Sequence, residues 1–454
     1  MQTELGLTLM GLLIVGTTVG ILIRGKTHPL IPMTLVPVIG AFITGFGLED
    51  LSTFFEEGLS SVMKVVVMFI FAIIFFGILQ DVGLFTPIIR ALIKTTRGNV
   101  VAVAVGTGLI GVVAHLDGSG STTFLLTIPA LLPLYQALHM SRYVLLTIVA
   151  LAASVMNMVP WGGPLGRAGA VISQDTNTVW MHLIPMQGLA LVFVVAIAFA
   201  LGVREKRRIS ALQAAGDLPA TDDVDVHAIA DEFEQKQREE QEKQGYEFRS
   251  GTVPTVLNVL VVLAALVVLL AGLLPPAPTF LIAATLALII NFTSQAEQAD
   301  ALKRHAPNAL SMAGIIIAAA MFLGVLNETG MLEAIALSLI GVLPEAAGPY
   351  LHVAVGMLGV PLDLLTSTDA YYFSVLPIVQ ETVAAYDISG LGAASALILG
   401  NVIGTFVSPF SPALWLALGL ANAQMGRYLK LAFPIAWVFS VIIVSVAFAT
   451  GLLA

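Results

Sequence analysis

Apolar runs, each bounded by a few charged or turn-forming positions, follow one another along most of the 454 residues. They come near the ~20 residues that cross the hydrocarbon core of a bilayer as a helix. The pattern predicts spans at about 4–23, 29–47, 60–79, 142–180, 185–203, 253–273, 278–293, 310–327, 390–421 and 428–453. Two of these, 142–180 and 390–421, are interrupted by NMVPWGGP (157–164) and NVIGTFVSPFSP (401–412) and read as broken helices. Two further apolar stretches, 100–138 and 348–386, carry polar clusters, HLDGSGSTT from His115 and TSTDAYY from Thr366. Each reads as a re-entrant hairpin, entering and leaving the membrane on one side with the polar cluster at its tip. The short segments 85–98 and 331–344 read as helices lying along the membrane surface.

Composition sharpens this picture. Hydrophobic residues make up 57% and charged residues 11%, against the roughly 25% charged of soluble domains, so the fold class is an all-α polytopic membrane protein. The run at 4–23 is followed, not preceded, by basic Arg24 and Lys26, which marks a first span and not a cleaved signal peptide. The absence of cysteine excludes disulfides, thiolate catalysis and Cys-ligated metals. The net charge is −9, and eleven acids lie between Asp217 and Glu247 in a hydrophilic segment, 204–250, which divides the chain into 1–203 and 251–454. It reads as a solvated cytoplasmic linker, part helical and part disordered. Nothing points to a nucleic-acid partner.

The two halves echo each other. FFGILQDVGLF at 75–85 matches FLGVLNETGML at 322–332, which sets Asp81 against Glu328. HLDGSGSTTFLLTIP matches PLDLLTSTDAYYFSVLP, which pairs Asp117 with Asp363 and Pro129 with Pro377. The two broken helices pair Asn157 with Asn401 and Pro164 with Pro412. Internal repeats of this kind are a signature of secondary transporters. With the hairpins re-entrant, each half crosses an odd number of times, so the second repeat is inverted and both termini fall outside. That topology puts every Lys and Arg but Lys64 and Arg167, of twenty, on the cytoplasmic side, as the positive-inside rule requires.

Chemistry concentrates at the hairpin tips and helix breaks. Backbone that leaves helical geometry at membrane depth must line a cavity or be packed in protein. In the first tip, Gly118 and Gly120 allow tight turns, and Ser119, Ser121 and Thr122 are caps for the following helix. A helix N-terminus there suits an anion, and Asp117 adds a carboxylate for a cation or a proton. The second tip offers Thr366, Ser367, Thr368 and Asp369, with Tyr371 either hydrogen-bonding a carboxylate or packing as an interfacial anchor. The breaks contribute Asn157, Trp161, Gly162, Gly163 and Pro164 from one half and Asn401, Ser408 and Ser411 from the other. Arg167, an arginine within a span, has forked donors that match a carboxylate. An intramembrane hydrolase using Ser119 or Ser121 with His115 is disfavoured, because GSGS is not GxSxG. A channel would lack saturable, gradient-dependent uptake.

AHLDGSGSTTFLLTIPALLPLY, NMVPWGGPLGRA, STDAYYFSVLP and SPFSPALWLALGLA resemble the citrate–divalent metal:proton symporter family (CitMHS) of the ion-transporter superfamily, over essentially the whole chain. The resemblance implies uptake of citrate complexed with a divalent cation (magnesium, calcium or a transition metal) coupled to protons, with no permanent cofactor. It also implies two inverted repeats of about five spans, a homodimer in the cell membrane, and a transport domain moving as an elevator. The substrate site implied covers Asp117 to Thr122, Asn157, Trp161 to Pro164, Arg167, Ser367 to Asp369 and Asn401, with the metal facing Asp117 and Asp369 or held mainly by citrate. The tips read Gly-Ser-Thr and Thr-Ser-Thr-Asp in place of the Ser-Asn-Thr of sodium-coupled dicarboxylate carriers, which speaks against sodium. The alternative is a metal-independent transporter of di- or tricarboxylates on the same architecture, proton- or sodium-coupled.

Overall fold

The computed structural model describes residues 3–454 apart from 25, 217, 219–224, 244–247, 250 and 345. The first half comprises α1 (Glu4–Arg24), α2 (Leu30–Thr44), α3 (Leu48–Asp81), α4 (Thr86–Thr95), α5 (Val100–Ala114), α6 (Gly120–Ala137), α7 (Arg142–Met156), α8 (Gly163–Val171) and α9 (Thr176–Ala214). A linker helix, α10 (Val226–Lys243), follows. The second half runs α11 (Thr252–Leu270), α12 (Pro276–Asn291), α13 (Gln295–Glu328), α14 (Met331–Val342), α15 (Leu351–Met357), α16 (Gly359–Leu365), α17 (Thr368–Ala370), α18 (Leu376–Ala384), α19 (Gly390–Asn401), α20 (Pro412–Leu420) and α21 (Met425–Ala449). Both halves follow one order: two helices, a long helix, a short one, a hairpin, a broken helix and a long closing helix. Six helices are long and apolar enough to cross a membrane alone, and the bent pair α15–α16, folded by 64°, brings the number to seven, among the described residues.

The long helices α3 and α13, 34 residues each, reach about 50 Å at ~1.5 Å per residue. They extend well beyond the expected spans 60–79 and 310–327, since polar flanks continue the same helices. They cross almost backbone to backbone: a Cβ at Gly58 would fall 2.1 Å from the Ala320 carbonyl oxygen, and one at Gly324 would fall 2.1 Å from that of Phe54. Small residues at such crossings let dispersion contacts and weak backbone contacts form where no hydrophobic drive exists between helices.

Two expected boundaries shift. The break between the first broken helix and its successor falls at 172–175, not near 180–185: the Asp175 side chain caps α9 by accepting from Asn177 N at 2.9 Å, and Pro185 is carried inside the helix. That helix also runs past 203, so REKRR is helical. Its polar residues find partners there, with buried Glu205 accepting from Ser141 N at 2.8 Å and pairing with Arg208. Of the segment expected as a solvated connector, residues 217, 219–224, 244–247 and 250 lie outside those described. The part that is described as α10 is docked. Val226, Ala230 and Phe233, spaced to share one face, are buried, while Asp231 meets Arg90 at 2.6 Å and Lys94 at 2.9 Å on α4. The Gln241 amide donates to the Asp81 carbonyl at the end of α3.

Candidate functional site

The first hairpin tip is built by local hydrogen bonds. Asp117 Oδ1 accepts from Ser119 N at 2.9 Å, and Ser119 Oγ caps α6 by accepting from the Thr122 hydroxyl at 2.9 Å and, more weakly, from its N–H. Between them Gly118 takes φ +71°, and a Cβ there would also press within 3.2 Å of Trp161, so glycine is required twice over. The tip is tied to the first broken helix through Trp161 Nε1, which donates to the Leu116 carbonyl at 2.8 Å. Behind it Trp161 stacks on Phe76 and meets Phe280 edge-on, a rigid aromatic backing. Gly162 permits the break itself, since a Cβ there would collide with the Asn157 carbonyl.

Three helix starts converge on one cavity of about 540 Å³. They are Gly120 of α6, Gly163 and Pro164 of α8, and Pro412 of α20 after Ser411. Proline at the first positions of α8 and α20 has no N–H to leave orphaned. The remaining free N–H groups give each start a partial positive charge of about half a unit. Of the residues expected from sequence, Asp117 to Thr122, Asn157, Trp161, Gly163, Pro164, Arg167, Thr368 and Ser411 line this cavity. Asp117 is the one carboxylate among the lining residues. No cluster of three His, Asp or Glu side chains suited to a metal occurs among the described residues.

Several expected residues stand elsewhere. Gly162 packs in the break, Thr366 donates to the Leu362 carbonyl, and Ser367 caps α17 by accepting from Ala370 N. Asp369 does not line the cavity: it is the counter-ion of Arg167, whose Nε donates to Asp369 Oδ1 at 2.7 Å with both side chains buried. Arg167 is therefore already compensated when it meets the cavity, and Oδ1 of Asp369 is engaged by the guanidinium. Tyr371 is wholly buried, neither at an interface nor on the cavity. Asn401 is fully buried, and Ser408 Oγ donates to the Asp363 carbonyl at 2.5 Å. The offset between hairpins also changes. The caps Ser119 and Ser367 correspond, as do Pro129 and Pro377, and the same spacing sets Asp363 opposite His115 and not Asp117.

The opposite wall was not anticipated. Phe69, Ile73, Gly77 and Gln80 of α3 and His305, Asn308, Ser311, Met312 and Ile315 of α13 complete the cavity. His305 Nε2 and Arg304 Nε both reach Asp81 Oδ2, at 2.9 and 3.0 Å. Gly77 makes room for the His305 ring, which a Cβ would overlap. The FFGILQD–FLGVLNE repeat had marked the helix ends but not their cavity face.

His115, the base a hydrolase would need, bonds Thr123 Oγ1 at 2.7 Å through Nδ1, and no serine.

Comparison with known proteins places this architecture. The chain is 33% identical to a citrate transporter of Bacillus subtilis over 438 residues, 96% of this chain and 97% of the relative. It is 29% identical to a Mg(2+)/citrate complex secondary transporter of the same organism over 445 residues, 98% of each. In fold it is similar to the YdaH transporter of Alcanivorax borkumensis, with a TM-score of 0.58 at 17% identity over 99% of this chain and 98% of that one. It is also similar to MtrF of Neisseria gonorrhoeae, with a TM-score of 0.57 at 14% identity over 88% and 84%. The sequence profile of the citrate transporter family matches residues 6–404, and this multi-pass membrane protein, a transporter and not an enzyme, belongs to that family.

Proposed function

We propose that the protein imports citrate as a complex with a divalent cation, together with protons, by an elevator-type movement. The observation that carries this is the charge balance of the cavity. Three helix starts supply about +1.5 in all, Arg167 is cancelled by Asp369, and Asp117 removes about one unit. Free citrate, with about three negative charges at neutral pH, would face a large desolvation cost in such a site. A divalent metal–citrate complex, with about one net negative charge, is matched by it. Asp117 is then a ligand to the metal face of the complex and the helix starts hold its carboxylates. The similarity to a Mg(2+)/citrate complex secondary transporter supports this reading.

The elevator reading is supported by the division of the walls. The hairpins and broken helices form one side of the cavity, and α3 with α13 forms the other, so sliding the first group past the second would carry the site across. The inverted repeat, the cytoplasmic linker, termini outside and a homodimer complete the reading. The test is uptake of labelled citrate into proteoliposomes with magnesium, calcium or a transition ion, and with a chelator. Uptake is expected to fall at least tenfold when the divalent cation is removed. Undiminished uptake in chelator would overturn the metal-complex reading in favour of a metal-independent carboxylate carrier.

A further inference from the structure

Asp363 has a geometry that the substrate site does not use. It lies in the last turn of α16, is 0% exposed, and neither carboxylate oxygen has a hydrogen-bond partner among the described residues. It does not line the cavity. Close packing brings it there: Gly359 lies backbone against backbone on Gly400 and Asn401, where a Cβ would fall 2.5 Å from Asn401 N. A Cβ at Gly404 would stand 3.5 Å from Asp363 Oδ2. The Asn401 amide faces the carboxyl without closing a hydrogen bond, and both of its polar atoms are unpartnered. The hydroxyls of Tyr371 and Tyr372 are buried and unpartnered too.

The charges that reach Asp363 are few. From α8 comes Arg167, already bound to Asp369. The second hairpin arm adds the two tyrosines. The other elements packed on α16 are α15, α19, the turn 402–404 and α21. Of these, α19 and the turn carry no ionisable side chain. Helix α15 carries His352, whose Nε2 is engaged by the Leu453 carbonyl. Helix α21 carries Tyr428, which donates to the Phe406 carbonyl, and Arg427 and Lys430, which are exposed.

We propose that Asp363 is the proton-binding site of the transport cycle, separate from the carboxylate that meets the substrate. The proposal rests on the proton-coupled reading above and names the group that holds the proton. An ionised carboxylate with no closed hydrogen bond at membrane depth is strongly disfavoured, so the enclosed geometry is that of the neutral acid. One guanidinium serves two acids: with Asp363 ionised the trio Arg167, Asp369 and Asp363 is net negative, and with Asp363 protonated it is neutral. An anionic complex arriving beside Arg167 adds negative potential at Asp363 and favours the protonated acid, so binding of cargo and of proton reinforce each other. That is the sign a symporter needs. The proton comes from water and returns to water, and no bond in the cargo changes.

The experiment uses the full-length protein in proteoliposomes, with citrate and magnesium as cargo, the membrane potential clamped, and an inward gradient of one pH unit. One proton carried per complex then drives about tenfold accumulation. Asp363→Asn is expected to keep citrate–citrate counterflow, to lose gradient-driven accumulation, and to bind cargo with little dependence on pH. Asp363→Glu is expected to keep accumulation with a displaced pH profile. It stands as the deciding variant if the asparagine protein does not fold. Wild-type accumulation indifferent to the gradient would sink proton coupling itself. Gradient-driven accumulation by Asp363→Asn, or an undisplaced profile in Asp363→Glu, would leave that reading intact and remove Asp363.

Discussion

Arg167 shows how a single residue changes meaning between sequence and structure. Its position within a span pointed to an anion-binding guanidinium, and it does line the cavity, yet its Nε is bound to Asp369 202 residues later. Removing it leaves a buried, unpaired carboxylate, which typically costs about 3–5 kcal/mol. Arg167→Ala is therefore expected to lower thermal stability and abolish uptake together. The double variant Arg167→Ala/Asp369→Asn should regain much of the stability, read by a thermal melt in detergent, and still fail to transport. Recovery of uptake in the double variant would show that the pair only holds the fold. The pairing could not be read from sequence: both residues were visible as polar exceptions, but a contact between halves depends on how the halves pack.

At the scale of elements, α10 is the largest departure. A run rich in acids reads as solvated, and its three buried apolar positions are too few to stand out in so charged a segment. What holds it is a basic face on α4. The hydrogen bond from Arg90, and then that from Lys94, keeps the Asp231 carboxyl below its ordinary range. A depressed carboxyl stabilises the folded contact above its unfolded pKa of about 3.9 and loses that contribution as pH falls through the folded value. Both side chains are solvent-exposed, so the contact is also weakened by salt. Limited proteolysis within 217–247 is expected to quicken at high salt, below about pH 4, and in Arg90→Glu at neutral pH. Cleavage indifferent to all three would mean that the apolar face alone docks the helix. The hairpins, by contrast, were legible. Their serine and glycine tips carry their own turn chemistry, and Ser119 and Ser367 cap the following helices as that chemistry requires.

For the whole molecule, relative movement of the two cavity walls is the claim most open to direct test. The sequence contains no cysteine, so introduced pairs report without background. Thr122 on the hairpin tip and Ser311 on α13 face the same cavity from opposite walls. Thr122→Cys/Ser311→Cys bridged by a short bifunctional maleimide is expected to stop citrate uptake by about tenfold or more, while either single variant with the same reagent keeps more. Transport that survives a complete cross-link would rule out sliding of these walls.

Class and the glycine- and proline-marked breaks at 157–164 and 401–412 follow from the order of residues alone, because each rests on local physics. Apolar length sets a span, glycine and proline set a break, and serine or asparagine sets a cap. The family motifs lie in those same local stretches. What tertiary structure decided is everything that joins distant stretches: the α3–α13 wall of the cavity, the neutralisation of Arg167 by Asp369, the docking of α10, and the seclusion of Asp363. The last is the clearest case. In sequence Asp363 and Asp117 are two aspartates before two polar tips, but one lines the cavity and the other is buried against Gly404 and Asn401. Burial and the absence of a partner are properties of packing, and no spacing along a chain encodes them.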